Sequence, residues 1–204
     1  MQNLNKNQNT PVIIYQMGKT GGKTVEKTLI AHNIPCIHVH SLVWSDLQDR
    51  PEPIPKLIQI SRKTRSMLDN APPTARFKII TATREPVSRI VSDTFQNMKR
   101  FVPAAVNKPF EQAFQLITEY IRSFIANLDP ANDYLHNWFD RQIKGVLGLD
   151  VYASPFDTEK GYQLYKTPRC DILLPRQEDM PRIGENIIAR FLGTHQLTFS
   201  QDNI

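Results

Sequence analysis

The sequence predicts an α/β fold, with a mostly parallel central sheet flanked by helices. Three observations carry this. Short apolar runs alternate with longer stretches of helical periodicity. Two segments rich in glycine, lysine or arginine stand where apolar runs stop, at the carboxyl ends of strands where such sheets bind ligands. The chain has 204 residues, 40% of them hydrophobic and 22% charged, which suits one well-buried domain over residues 11–204.

The elements follow in order. Residues 1–10 are polar and read as a disordered lead-in. "PVIIYQ" is a buried strand; Gly21 and Gly22 break it, and Val25 and Leu29 begin a helix that ends near Asn33. "IPCIHVH" (34–40) is a second strand, alternating from Ile37 through Val39. Residues 41–76 are proline-rich at both ends and enclose a basic helical piece, "KLIQISRKTRSMLDN". Its Lys56, Arg62, Lys63 and Arg65 form either a solvated face or a surface that steers an anionic glycan. "RFKIITA" (76–82) is a third strand.

"EPVSRIVSDTFQNMKRF" is a helix with Pro86 in its first turn and an apolar face of Val87, Ile90, Val91, Phe95 and Met98. The longest amphipathic helix follows Pro109, with Phe110, Ala113, Phe114, Ile117, Ile121, Phe124, Ile125 and Leu128 on its apolar face. "NDYLHNWFDRQIKG" is another, whose Tyr134, Trp138 and Phe139 read as a core-facing stripe rather than a sugar platform. "LDVYAS" and "CDILLP" read as strands, and "MPRIGENIIARFLG" as a last helix stopped at Gly193.

Composition limits the function. A net charge of +5 favours an anionic ligand but is small for a nucleic-acid binder, so no nucleic-acid partner is expected. Cys36 and Cys170 provide neither a disulfide framework nor metal-ligand spacing. The start carries no signal-like core, and no apolar run approaches the roughly 20 residues of a membrane span. A soluble, cytoplasmic protein is expected; its oligomeric state is not readable.

Two segments carry chemistry. The first is "QMGKTGGKT". A turn feeding a helix aims free backbone N–H groups at one point, and the helix dipole adds positive potential. Gly21 and Gly22 allow close approach, Lys19 and Lys23 supply charge, and Thr20 and Thr24 supply hydroxyls. The alternative is a glycine-rich turn with solvated lysines. The mononucleotide pattern G-x-x-x-x-G-K-[ST] does not fit, because Met17 stands where its first glycine belongs. In the second segment, "TREPVSRIVS", Arg84 stands at a strand tip and Ser92 follows eight residues later inside a helix, a spacing that lets both reach one anion.

Together these motifs resemble the sulfotransferase superfamily. In that family a P-K-T-G-G-T-S loop cradles the 5′-phosphosulfate of 3′-phosphoadenosine 5′-phosphosulfate, and R-x-P-x-x-R-x-x-S binds its 3′-phosphate. This chain has G-K-T-G-G-K-T and R-E-P-V-S-R-I-V-S. The resemblance implies a P-loop-like three-layer sandwich. It assigns Lys19, Thr20, Gly21, Gly22, Lys23 and Thr24 to the 5′ site, and Arg84 and Ser92 to the 3′ site, with no metal. Gly18 and Lys23 depart from the family's proline and threonine.

"CIHVHSL" resembles the H-x-H segment of Golgi glycan 2-O-sulfotransferases, whose second histidine is the catalytic base. Strand residues two apart share a face, so His38 and His40 point the same way. The resemblance makes His40 the base, His38 its support and Lys19 the group that balances charge on the leaving phosphate. The alternative is a pair of strand histidines hydrogen-bonded at a sheet edge; a zinc site would need further ligands.

The carboxy-terminal half, "NDYLHNWFDRQIKGVLGLDVYASPFDTEKGYQLY", resembles bacterial capsular polysaccharide synthesis proteins. "LLPRQEDM" is similar to the R-x-E-D-L of glycan sulfotransferases, with Arg176 and Glu178 structural. The expectation is sulfuryl transfer to a glycan or other hydroxyl acceptor. The alternatives are a non-catalytic component of polysaccharide synthesis on the same fold, and a P-loop kinase or NTPase.

Overall fold

The computed structural model describes residues 10–48, 54–129 and 134–199. The lead-in expected over 1–10 lies, but for Thr10, outside them. The chain divides into two compact units: a sheet unit, Met1–Thr83 with Phe139–Ile204, and a helical unit, Arg84–Trp138.

The sheet unit opens with β1 (Val12–Tyr15), α1 (Gly22–Ala31), β2 (Cys36–Val39), the short α2 (Ser45–Gln48), α3 (Pro55–Asn70) and β3 (Phe77–Ile80). The helical unit follows with α4 (Pro86–Gln96), α5 (Met98–Phe101), α6 (Phe110–Ala126) and α7 (Tyr134–Trp138). The sheet unit resumes with a π-helical turn (Phe139–Lys144), α8 (Gly145–Leu147), β4 (Tyr162–Lys166), β5 (Cys170–Pro175) and α9 (Met180–Leu192).

The described strands form one five-stranded sheet in the order β2-β1-β3-β5-β4. β2, β1, β3 and β5 pair in parallel, and β4 is an antiparallel edge on β5. The α/β class and the mostly parallel sheet agree with the sequence reading. β1 is apolar and buried along its whole length because it lies between two strands and both its faces are covered. On one face Val12 and Ile14 pack with Val25 and Leu29 of α1 and with Ile187 and Ile188 of α9. α9 stops where Gly193 takes up φ 73°.

Three expectations are corrected. "LDVYAS" is not a strand. The Asp150 carboxylate accepts from Tyr152 N–H (3.0 Å) and bends the chain into a turn, and the strand of this region is Tyr162–Lys166. Its alternation is hard to read because Leu164 lies on the solvent side of an edge strand. On α4 the buried residues are Arg89, Ile90 and Thr94, while Val87 and Phe95 are about half exposed. Val87, Val91 and Phe95 repeat every four residues, one row away from the Ile90–Thr94 row that is covered. On α6 only Ile117 is buried, in a small cluster with Val102 and Ala105; Phe110 and Phe114 are 75% and 52% exposed. The aromatic stripe is partly as expected: Trp138 and Phe139 are buried and Tyr134 is half-buried.

Candidate functional site

β1 ends at Tyr15, and the chain then tightens into the loop that precedes α1. Gln16 is buried, and its Nε2 donates to the Thr20 carbonyl (3.2 Å). The Thr20 hydroxyl donates back to the Met17 carbonyl (2.6 Å). Lys19 takes up φ 70°, a left-handed conformation that costs a non-glycine residue about 1–2 kcal/mol. Such strain persists only where the surroundings hold it, and it clusters at ligand-clamping sites.

The two glycines are required by their surroundings. Gly21 has φ 81°, and the place of its missing Cβ is taken by the Gln177 amide, 2.1 Å from where that carbon would stand. At Gly22 a Cβ would lie 2.4 Å from Gln16 Nε2 and 2.6 Å from His38 Nε2. α1 begins at Gly22 with no side chain capping its first turn, so its leading N–H groups and dipole are presented at the loop.

Beside this loop stand the two histidines, on one face as their spacing predicts, with ring centroids 4.7 Å apart in an edge-to-face arrangement. Their second contacts differ. His38 Nδ1–H donates to the Glu26 carboxylate of α1 (3.1 Å), and its Nε2 is buried without a hydrogen-bond partner, facing Gly22. His40 Nδ1–H donates to the main-chain carbonyl of Gln16 (3.0 Å). That bond fixes the tautomer and puts the lone pair of a neutral ring on Nε2. Both histidines are half-buried, and the His38 side chain itself is 8% exposed.

A buried residue that sequence reasoning missed holds this geometry. Gln142, in the π-helical turn, accepts through Oε1 from Tyr15 OH (2.6 Å), Ser41 Oγ (3.1 Å) and Leu42 N–H (2.9 Å). Its Nε2 donates to Asp46 (2.8 Å). It thus ties the residue before Gln16 to the residues after His40, clamping the exits of β1 and β2. π-Helical turns recur at functional sites.

The remaining site residues are placed as follows. Thr20 is buried, Lys19 and Thr24 are half-buried, and Lys23 is exposed. The loop and both histidines belong to the sheet unit. Arg84 and Ser92 belong to the helical unit, Arg84 just ahead of α4 and Ser92 midway along it, both half-buried. The Glu85 carboxylate between Arg84 and Pro86 caps α4, accepting from Ser88 and Val87 N–H (2.6 and 2.9 Å), which, Ser88 first, holds it below the usual carboxylate range. Arg176 pairs with Asp179 (2.6 Å), which also holds Arg182 (3.0 Å); those hydrogen bonds, Arg176 first, keep the Asp179 carboxyl low. Arg176 is engaged structurally, and Glu178 is exposed.

Gln16 and Gln177 stood inside quoted motifs without being singled out, and Glu26 and Gln142 had no motif to announce them. Only Glu26 left a signal, lying one helical turn after Gly22 on the same side of α1. Among the described residues no group of three or more His, Cys, Asp or Glu is placed to hold a metal, and no helix is long and apolar enough to cross a membrane.

Comparison with curated proteins and with solved structures returned no match to this chain. Residues 110–203, less than half of the chain, match the model of the NKWYS family, described as "Putative capsular polysaccharide synthesis protein". The matched segment runs from α6 through α9 and includes Gln142 and Gln177, while the loop, the histidines, Arg84 and Ser92 lie ahead of it.

Proposed function

We propose that this chain transfers a sulfuryl group from 3′-phosphoadenosine 5′-phosphosulfate to a glycan hydroxyl in the synthesis of a capsular or exported polysaccharide, on a P-loop-like three-layer sandwich. The observation that carries the reading is the hydrogen bond from His40 Nδ1 to the Gln16 carbonyl. It ties a candidate base, in the correct tautomer, to the residue that opens the phosphate loop.

The chemistry follows from that arrangement. The acceptor oxygen attacks sulfur as His40 Nε2 takes its proton. The sulfur–oxygen bond to the 5′-phosphate breaks in line, and the electron pair leaves on the phosphate oxygen of the departing bisphosphate. The first N–H groups of α1 and the Lys19 ammonium stabilise that charge. Gly21 and Gly22 admit the Gln177, Gln16 and His38 side chains that pack against the loop, Thr20 holds the loop closed, and Lys23 and Thr24 flank it. Assignment of Arg84 and Ser92 to the 3′-phosphate rests on the motif resemblance. The polysaccharide context rests on the description of the family matched by residues 110–203.

A second reading is a non-catalytic binding component on the same fold. It is favoured by the Gln177 amide, which lies over Gly21, and by the Thr20 hydroxyl, which is turned inward to Met17. Transfer of radiolabelled sulfuryl groups from the donor nucleotide to a panel of glycans separates the two. Turnover that falls by about 10²–10⁴-fold in His40→Ala, with bisphosphate binding retained, supports transfer catalysis. Nucleotide binding with no turnover on any glycan supports the second reading. Magnesium-dependent ATP turnover would replace both with a kinase or NTPase.

A further inference from the structure

The sheet unit contains a second cavity that the phosphate loop does not use. It measures about 430 Å³, and its lining includes Thr83, Phe139, Tyr152, Ser154, Phe156 and Tyr165. Ligand pockets generally occupy about 300–1,000 Å³, so it is large enough to be one. We propose that this cavity seats an uncharged sugar ring of the acceptor glycan; the inference rests on the sulfuryl-transfer reading and names where its acceptor binds.

Position is the first argument. β1, β3 and β5 run parallel, so their carboxyl ends lie at one edge of the sheet. Thr83 lies beyond the end of β3, and Leu174, also in the lining, is near the end of β5. The cavity therefore sits at the edge from which the glycine loop leaves β1. One residue links the two: Gln177 N–H donates to the Thr83 carbonyl (2.8 Å), and the Gln177 side chain covers Gly21. A group held in the cavity is next to the residue that roofs the loop.

Chemistry is the second. Four of the six named residues are aromatic, and Phe139 and Tyr152 meet edge to face with centroids 6.1 Å apart. The faces of such rings carry negative potential and attract the C–H-rich face of a pyranose. Polar handles stand among them. Tyr165 OH donates to the Val151 carbonyl (3.2 Å), and the Ser154 hydroxyl stands in the same lining. Aromatic faces interspersed with hydroxyls suit a ring that is apolar on its faces and polar at its edge.

Charge is the third. Tyr152 N–H donates to the Asp150 carboxylate (3.0 Å) and Asp140 follows Phe139 in the chain, so both carboxylates stand by lining residues; loss of hydration, then their charges, push the Tyr152 phenol up. Lys144 holds Asp150 (2.7 Å), and Asp140 is exposed. Two carboxylates against one lysine accept hydroxyl donors and disfavour a further carboxylate, favouring a neutral hexose over a uronate. All the named lining residues except Thr83 fall within 110–203, the segment that matches the polysaccharide-synthesis family.

The test is saturation-transfer NMR on the full chain without nucleotide, with methyl β-D-glucopyranoside and its glucuronoside counterpart as probes. The expected result is transfer to the ring protons of the glucoside, with binding about tenfold weaker for the glucuronoside. Tyr152 is 64% exposed, so Tyr152→Ala should fold; it should weaken glucoside binding about tenfold. Phe156→Ala should do the same, and Leu164→Ala, outside the cavity, should change nothing. Transfer unchanged in both aromatic variants, a preference for the glucuronoside, or no transfer from either probe overturns the inference.

The same preparation is titrated with 3′-phosphoadenosine 5′-phosphate. If nucleotide binds and glucoside does not, the sugar seat falls while the sulfuryl-transfer reading survives. If glucoside binds and nucleotide does not, the cavity remains a sugar site and the transfer reading falls.

Discussion

Two glutamines, both buried beside the exit of β1, have opposite hydrogen-bond economies. Gln142 is fully enclosed: Tyr15, Ser41 and Leu42 donate to its oxygen, and its nitrogen donates to Asp46. Gln16 is as deeply buried, yet its Oε1 has no partner, and neither has Nε2 of the neighbouring His38. Buried polar atoms are nearly always satisfied, so unsatisfied ones mark a place where something else completes the bonding. The difference separates a polar group that holds the fold from two that are left unsatisfied where they pack against Gly22. Gln142 is the clamp, and Gln16 with His38 forms the floor of the site.

The comparison can be tested at both residues. The largest effect is expected for Gln142→Leu, which removes the acceptor shared by three buried hydrogen bonds, with Ser41 Oγ keeping the Val43 carbonyl. At about 1–3 kcal/mol each, urea unfolding should show a loss of at least about 3 kcal/mol. Gly22→Ala should come next: its Cβ would press on Gln16 and His38, lowering stability by about 1–3 kcal/mol and abolishing nucleotide binding. Unchanged stability and binding would mean that the floor is not packed against the loop. The smallest effect is expected for Gln16→Met, which gives up one 3.2 Å bond and an oxygen that already lacks a partner. It should cost under about 1 kcal/mol in urea unfolding while weakening nucleotide binding. A loss as large as that of Gln142→Leu would erase the distinction.

The two residues also differ in what the sequence could show of them. The loop and the histidine pair were legible because their chemistry is local: K-T-G-G-K-T falls between a strand and a helix, and H-x-H spans three residues at the end of β2, with His40 just past it. β1, β2, β3 and β5 were readable because apolar runs this short, bounded by turn residues, fit buried strands. Gln142 was not, because its bond to Tyr15 joins residues 127 apart in the chain. Gln177 meets Gly21 across a similar gap. The same limit applies to α4 and α6, where periodicity showed a helix but not which row would be covered. "LDVYAS" failed for a different reason: Asp150 offers the backbone a turn that apolar alternation does not register.

The central claim is that the loop after β1 holds the nucleotide of a sulfuryl donor. Calorimetric titration of the protein with 3′-phosphoadenosine 5′-phosphate, with ADP as the comparison, tests it most directly. The account predicts binding of the bisphosphate, about tenfold tighter than ADP, and its loss in Gly22→Ala. Equal affinity for the two nucleotides, a preference for ADP, or binding that survives Gly22→Ala would contradict it.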